Sequence, residues 1–233
     1  MTIINFSQSS TELHLMTDAF SYRVSDTADV GEAWCHGTKF KVLQHINSVC
    51  CTAGSVFTAS RFFKWLDFAP LKSIDEVENY GPEALAQIVE LKDGYLNNDG
   101  NLVTGQEAVV LAGYSHATNK PRVWVWLAGT NEFGAKEIQH GWSNATLMYF
   151  PYLQTPPNPK GKQPFDILVQ AAEKQRLEYD DSLGAELHHI KVTKKGIACT
   201  VAKRLPNFAQ AQKEVDENRE QLFAFALAEA TSY

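Results

Sequence analysis

Hydrophobic and polar positions along this chain follow a period of two in some segments and helical spacing in others. Alternation predicts two strands, Thr2 to Phe6 and Glu12 to Thr17, on either side of a polar turn. After a loop that contains glycine and aspartate, a second pair of strands is predicted over Lys39 to Gln44 and Ser48 to Ala53. The chain therefore opens with two strand pairs in succession.

Two helices are predicted to follow these strands. Ser55 is a suitable N-cap for a helix over Val56 to Leu66, where apolar residues recur at helical spacing. Proline is favoured in the first turn of a helix, so Pro82 predicts the start of a second helix that runs to Leu96. Two helices in succession indicate a helical layer.

The rest of the chain returns to strands and then to helices. Further strands are predicted over Ala108 to Tyr114, Arg122 to Ala128, Ala135 to Gln139, Ala145 to Tyr152, Glu186 to Thr193 and Ile197 to Lys203. Helices are predicted over Phe165 to Arg176 and Ala209 to Ala228, and a Pro- and Gly-rich loop over Thr155 to Lys162. This grouping excludes an alternating βαβ parallel sheet. It favours an α+β fold in which two antiparallel sheets pack face to face, with helices outside both.

Composition narrows the class of protein. A chain of 233 residues fits one large domain or two small ones, and we interpret residues 1–233 as a single domain. The net charge is −6 and no dense Lys/Arg block occurs, so no nucleic-acid binding is expected. No apolar run approaches the roughly 20 residues of a membrane helix, and no signal peptide is predicted. We therefore expect a cytoplasmic protein with no membrane partner.

Residues that could bind a metal are scattered. The chain has four cysteines, Cys35, Cys50, Cys51 and Cys199. Their spacing matches neither a zinc site nor a disulfide framework, so we expect small buried thiols in a reducing compartment. His188 and His189 are adjacent on a predicted strand and point to opposite faces, which disfavours joint ligation. Neither a metal nor a cofactor is expected.

Several short segments, taken in their order along the chain, carry a resemblance to a known family. They are Thr2-Ile3-Ile4, Leu13 to Asp18, Lys41-Val42-Leu43, Val49 to Ser55, Val110 to Tyr114, Val123-Trp124-Val125 and Asp180 to Leu187. Together these segments resemble proteasome β-subunits and their bacterial and phage relatives in the N-terminal-nucleophile (Ntn) hydrolase superfamily. The resemblance extends from residue 2 to about residue 200. It implies a four-layer αββα sandwich of two antiparallel sheets flanked by helices.

The resemblance also implies an active site at the start of the chain. Thr2 would be the nucleophile after removal of Met1, with its own α-amine as general base. Lys41 would keep that amine neutral by like-charge repulsion, and Asp18 would hold the lysine. Lys39 competes with Lys41 for this role, since the two share a face of the predicted strand.

Two further residues complete the implied site. The backbone N–H of Gly54 would stabilise the oxyanion, and Asp180 would help to orient the α-amine. The segment after Asp180 departs from the family's Asp-x-x-Ser-Gly-Gly, because Leu183 stands at the serine position. Each of these residues also has an ordinary structural interpretation as a strand-end, turn or helix-entry residue.

These observations lead to two hypotheses about function. The first is a proteasome-like N-terminal threonine hydrolase that cleaves peptide or other amide bonds. The alternative is a catalytically inactive Ntn-fold protein with a structural or assembly role. Under either hypothesis we expect a homo-oligomer, because the two predicted helices between Val56 and Leu96 carry more aromatic residues than one sheet can cover.

Overall fold

Strands and helices follow one another in blocks along the chain. The computed structural model describes residues 2–23, 32–37, 39–54, 56–99, 107–128, 136–137, 145–150, 163–179 and 185–231. The strands are β1 (Ile4–Gln8), β2 (Glu12–Asp18), β3 (Phe20–Arg23), β4 (Glu32–His36), β5 (Phe40–Leu43), β6 (Ser48–Ala53), β7 (Glu107–Ser115), β8 (Lys120–Ala128), β9 (Lys136–Glu137), β10 (Ala145–Phe150), β11 (Glu186–Thr193) and β12 (Gly196–Arg204). The helices are α1 (Val56–Phe68), α2 (Ile74–Asp99), α3 (Pro164–Tyr179), α4 (Phe208–Glu217) and α5 (Arg219–Thr231).

Two five-stranded antiparallel sheets form the centre of the fold. The first sheet has the order β10-β1-β2-β11-β12, and the second has the order β5-β6-β7-β8-β9. Apolar residues at alternate positions of both sheets meet in one buried cluster, which includes Phe6, Leu15, Val49, Val110 and Ile190. The two sheets therefore pack face to face.

Helices cover the outer face of each sheet. Helices α1 and α2 pack on the second sheet through a buried cluster that includes Phe62, Leu66 and Trp124. Helix α3 packs on the first sheet, where Leu168 contacts the cluster around Met16. The predicted four-layer αββα architecture is confirmed, whereas the single domain over residues 1–233 stays a prediction.

Helix α2 starts eight residues before the predicted position, and the prediction that Pro82 opens it is wrong. Pro82 lies inside the helix, where it removes one backbone hydrogen bond and crowds the preceding turn. The first turn instead carries Asp75 and Glu76, whose charges suit a helix N-terminus. Burial of Val77 and Leu85 against the second sheet offsets the cost of the proline.

Two other segments differ from the sequence prediction. The loop predicted after β2 contains the β3–β4 hairpin, although residues 24–31 lie outside the described part of the chain. The single helix predicted over Ala209 to Ala228 is two helices that meet at Asn218. Helix α4 buries Ala211 and Val215 beside Ala185, whereas α5 exposes Phe223. The apolar residues of α4 and α5 therefore do not form one continuous buried face, and the prediction of a single helix is wrong.

The predicted loop over Thr155 to Lys162 lies outside the described residues.

The cysteines are only partly as expected. Cys50 and Cys51 are fully buried free thiols, and burial raises the pKa of Cys51 to about 12. Cys199 on β12 is exposed, which contradicts the expectation of a buried thiol. No helix in the described ranges is long and apolar enough to cross a membrane.

A pair of stacked histidines lies between the first sheet and α3. His14 Nδ1 and His189 Nε2 are 3.0 Å apart, and the edge of Phe165 packs against the His189 ring. Glu12 hydrogen bonds His14 and forms an ion pair with Lys191. Burial, and then the positive charges of His14 and Lys191, lower the pKa of His189 to about 4.

We expect this depressed pKa to make the protein less stable in mild acid. In the unfolded chain His189 takes up its proton near pH 6.5, but in the folded protein only near pH 4. Its contribution to stability is therefore complete above pH 6.5 and is lost as the pH falls from about 6.5 towards 4. Urea unfolding at pH 7 and pH 5 measures this slope. The slope should become smaller in His189→Gln, and an unchanged slope would mean that another group is responsible.

Candidate active site

Residue 2 lies at the end of the first sheet, where strand pairing fixes its position. Thr2 lies two residues before β1 and is 8% exposed. The β1–β2 ladder pairs Ile4 with Thr17, which brings Ile3 beside Asp18. The backbone N–H of Ile3 donates a hydrogen bond to Asp18 Oδ1 at 2.8 Å. The peptide group that follows Thr2 is therefore bonded to the carboxylate at the end of β2.

The second oxygen of this carboxylate binds a lysine from the other sheet. Lys39 Nζ donates to Asp18 Oδ2 at 2.6 Å, and the Asp18 side chain is fully buried while that of Lys39 is 10% exposed. Lys39 directly precedes β5, and its carbonyl accepts a hydrogen bond from the N–H of Thr52 on β6. The Asp18–Lys39 ion pair thus joins the two sheets beside residue 2.

Lys41 is not part of this arrangement, and the expectation that it lies beside Asp18 is wrong. Lys41 forms an ion pair with Asp67 near the end of α1. Its strand partner Cys50 belongs to the core under the helices, so this face of β5 points away from the first sheet. Lys39 lies before the strand begins and does not follow its alternation. The alternative left open by the sequence, Lys39, is the lysine that the structure brings to Asp18.

Gly54 lies at the same end of the second sheet as Lys39. It follows β6, two residues after Thr52, is exposed, and has a φ of 101°. Glycine adopts this positive φ without the steric cost that a side chain would add. The role of its N–H as an oxyanion donor stays a prediction. Met1 and Asp180 lie outside the described residues.

A second polar cluster beside the site was not predicted from the sequence. On β11, Leu187 pairs with Asp18, and its neighbours Glu186 and His188 are bonded to each other at 3.0 Å. Arg204 also donates to Glu186. Burial opposes ionisation of Glu186, but the hydrogen bonds from His188 and Arg204 outweigh it and keep its pKa below the ordinary value. The sequence could have predicted this contact, because Glu186 and His188 are two residues apart on a predicted strand and therefore share a face.

The two adjacent histidines do face opposite sides of the first sheet, as predicted. His188 packs edge-on against Phe40 of the second sheet, with ring centroids 5.8 Å apart, whereas His189 contacts Phe165 of α3. Within the described ranges, no three His, Cys, Asp or Glu side chains lie close enough together to hold a metal ion. Among the residues that the structure describes, the buried charged pair beside residue 2 is Asp18 and Lys39.

A buried ammonium and a buried carboxylate that are in contact stabilise each other's charge. Removing two charges from water is costly, and the cost is recovered only when the pair has good geometry and further hydrogen bonds. Asp18 has both, since one oxygen accepts from Lys39 and the other from the backbone of Ile3. Such a pair can hold a positive charge in a fixed place next to residue 2. That charge would favour the neutral form of an amine close by.

Comparison with known proteins finds similar folds but no match in sequence. No family model matches the chain, and no curated protein matches it in sequence. The solved structures that match it include three Anbu chains, each over nearly its whole length. Anbu (ancestral β-subunit) from Yersinia bercovieri has a TM-score of 0.57 at 14% identity and covers 95% of this chain and 96% of its own. Anbu from Hyphomicrobium sp. strain MC1 has a TM-score of 0.59 at 9% identity, covering 97% of each chain. Its Gly-1 mutant has a TM-score of 0.62 at 12% identity, covering 96% of this chain and 97% of that one.

These matches correct the resemblance drawn from the sequence. The structural neighbours are Anbu proteins, which are proteasome-like but distinct from proteasome β-subunits. The identification with proteasome β-subunits is therefore wrong, whereas the Ntn-hydrolase-related fold is compatible with the neighbours. At 9–14% identity the likeness concerns the fold alone. The chain has the fold of the Anbu proteins.

Proposed function

We propose that this chain is an N-terminal threonine hydrolase that cleaves peptide or other amide bonds once Thr2 has become the first residue. One observation carries the proposal: the Asp18 carboxylate accepts hydrogen bonds from the Ile3 N–H and from Lys39 Nζ. It supplies a buried, fixed cation next to a threonine that sits at the end of a strand. The Ntn-type fold of the structural neighbours supports this class of chemistry but no particular substrate.

In the proposed reaction the α-amine of Thr2 removes the proton from its own hydroxyl. The Thr2 Oγ then attacks the carbonyl carbon of the substrate, and the carbonyl electron pair moves onto oxygen, towards the N–H of Gly54. The protonated amine next gives its proton to the leaving nitrogen, and the amide C–N bond breaks. Water then hydrolyses the ester on Thr2 with the same amine as base, which releases the acid and restores the free threonine.

Lys39 has a defined role in this scheme. An α-amine ordinarily titrates near pH 8, so a base that works at neutral pH gains from a neighbouring positive charge that favours its neutral form. Asp18 holds the Lys39 ammonium in place. Asp180 stays a proposed orienting residue for the amine, carried over from the sequence resemblance.

A catalytically inactive protein is the second candidate, and one feature of the ion pair favours it. The Asp18–Lys39 pair links the ends of the two sheets, so it would be useful to the fold without any reaction. The two proposals differ in what happens at residue 2. A hydrolase needs a free amine there, whereas a structural protein does not.

Self-association is part of the proposal under either function. Phe68 on α1 is 77% exposed, and Tyr80 and Leu91 on α2 are 60% and 59% exposed. Between these two helices lies a cavity of about 930 Å³. Exposed apolar patches of this kind usually mark partner surfaces, and the name "ancestral β-subunit" of a structural neighbour fits an assembling protein. We place this assembly in the cytoplasm.

Substitutions at residue 2 and at the two lysines test the proposed chemistry. In protein whose first residue is Thr2, Thr2→Ala and Lys39→Ala should each lower turnover of fluorogenic peptide amides by roughly 10³-fold or more. Thr2→Ser should keep measurable turnover because it retains the hydroxyl. Lys41→Ala is the matched control and should stay within about a factor of two, because its ion pair with the half-exposed Asp67 is outside the site.

Intact-mass spectrometry must accompany this assay to establish that residue 2 is the first residue. Circular dichroism must show that each variant is folded. Turnover that survives Thr2→Ala would place the nucleophile elsewhere. No turnover of any amide by folded protein that begins with Thr2 would favour the inactive candidate.

The oligomer prediction has its own experiment. Light scattering at micromolar concentration should give a mass greater than that of one 26.0 kDa chain. Phe68→Glu should lower that mass, because it replaces one of the exposed apolar side chains of α1 and α2 with a charge. Leu177→Glu on α3 is a matched control with the same 77% exposure and should leave the mass unchanged. A monomeric mass for the unsubstituted protein contradicts the prediction.

A further inference from the structure

The first sheet extends one strand beyond the cover that the second sheet provides. Strand β12 is the edge of the first sheet and pairs with β11. Its residues Ile197, Cys199 and Val201 lie opposite Val192, Ile190 and His188, so they share the face that points towards the second sheet. Ile197 is half-buried, but Cys199 is exposed and Val201 is 57% exposed. Most of this strand's inner face is therefore open.

Strand β5 forms the wall beside this open face. It is the edge of the second sheet, and its Phe40 ring packs on His188 of β11. Phe40 and Val42 are half-buried against the core between the sheets. At the Phe40 end, β5 lies above β11, so the space above Cys199 and Val201 of β12 is the place that one more strand of the second sheet would take there.

The main chain of β5 has hydrogen-bonding groups that face this space. The N–H of Thr52 donates to the carbonyl of Lys39, which identifies that pair as the hydrogen-bonded type. In an antiparallel ladder the types alternate, so the N–H and C=O of Phe40 and Val42 point outwards from β6. In the described part of the chain, no strand pairs with them. A β-strand is the ligand that can satisfy these groups and cover an apolar sheet face at once.

We call the space beside β5 and above the open face of β12 the slot, and its two ends differ. At one end the Asn47 side chain donates to the carbonyl of Thr193 and ties the second sheet to the β11–β12 turn. At the other end β5 leads to Lys39 and its ion pair with Asp18, beside residue 2. A strand added along β5 would therefore run towards the candidate active site.

We propose that an extended peptide binds in this slot as an added strand on β5, with apolar side chains over Cys199 and Val201. This inference rests on the proposed function, for which the slot would hold the part of a peptide substrate that lies away from the cleaved bond. Apolar side chains are favoured because Ile197, Cys199 and Val201 line this face, and the basic residue at its end, Arg204, is already paired with Glu186.

The Cys199 thiol is a natural reporter for this slot. In a Cys35→Ser, Thr2→Ala background the other two thiols, Cys50 and Cys51, are buried, and a bound peptide cannot be cleaved by Thr2. The rate of Cys199 alkylation is measured at fixed pH with and without a pool of cysteine-free apolar decapeptides. Partial burial raises the pKa of Cys199, so the free protein should react more slowly than a small free thiol but at a measurable rate. Peptide at about ten times its Kd should slow the reaction about tenfold, because occupancy protects by mass action.

A pair of substitutions on β12 controls the result. Val201→Arg puts a charge on the inner face and should abolish the protection. Thr200→Arg puts the same charge on the opposite face of an exposed position and should leave the protection intact. Protection that survives Val201→Arg, or is equally lost in Thr200→Arg, would overturn the slot.

Other outcomes separate this inference from the proposed function. No alkylation of Cys199 in the free protein, under conditions in which the urea-unfolded chain reacts, would mean that the chain itself or a second copy fills the slot, and the inference would then be wrong. Peptide hydrolysis by protein with Thr2 but no protection of Cys199 would reject the slot and keep the hydrolase. Protection without any hydrolysis would keep the slot as a peptide-binding groove and reject the hydrolase.

Discussion

The ion pair between Asp18 and Lys39 is the interaction on which the geometry of the site depends. It joins the end of β2 in the first sheet to the start of β5 in the second, and the same carboxylate holds the backbone of Ile3. Both charges are almost removed from water, so neither is stable there without the other. The position of residue 2 relative to a cation is therefore set by the packing of two sheets.

The same constraint links the site to its surroundings. Strand β11 lies next to β2, which brings Glu186 and His188 to the level of Asp18. Strand β5 follows Lys39 directly and brings Phe40 onto His188. A sandwich of two sheets thus supplies a fixed charge at one end and an open edge that leads away from it. In the proposed function, the fixed charge acts on the amine of residue 2 and the open edge binds an extended peptide.

Much of the fold followed from the sequence because hydrophobic period is a local signal. Strands β6 and β11 have the predicted bounds, and the grouping of strands and helices led to the two-sheet architecture. Pro82 misled the prediction because its cost is offset by burial, which depends on the tertiary structure. The choice between Lys39 and Lys41 failed for a related reason. Alternation applies only inside a strand, and whether Lys39 lies inside β5 is set by pairing with β6.

A double-mutant cycle between Asp18 and Lys39 tests the central claim most directly. Urea unfolding would be measured for Asp18→Asn, Lys39→Met and the double variant. Each single change should lower the free energy of unfolding by about 3–5 kcal/mol, because it leaves one buried charge alone. The double variant should lose clearly less than the sum of the two. Additive losses, or an equal coupling of Asp18 to Lys41, would contradict the account.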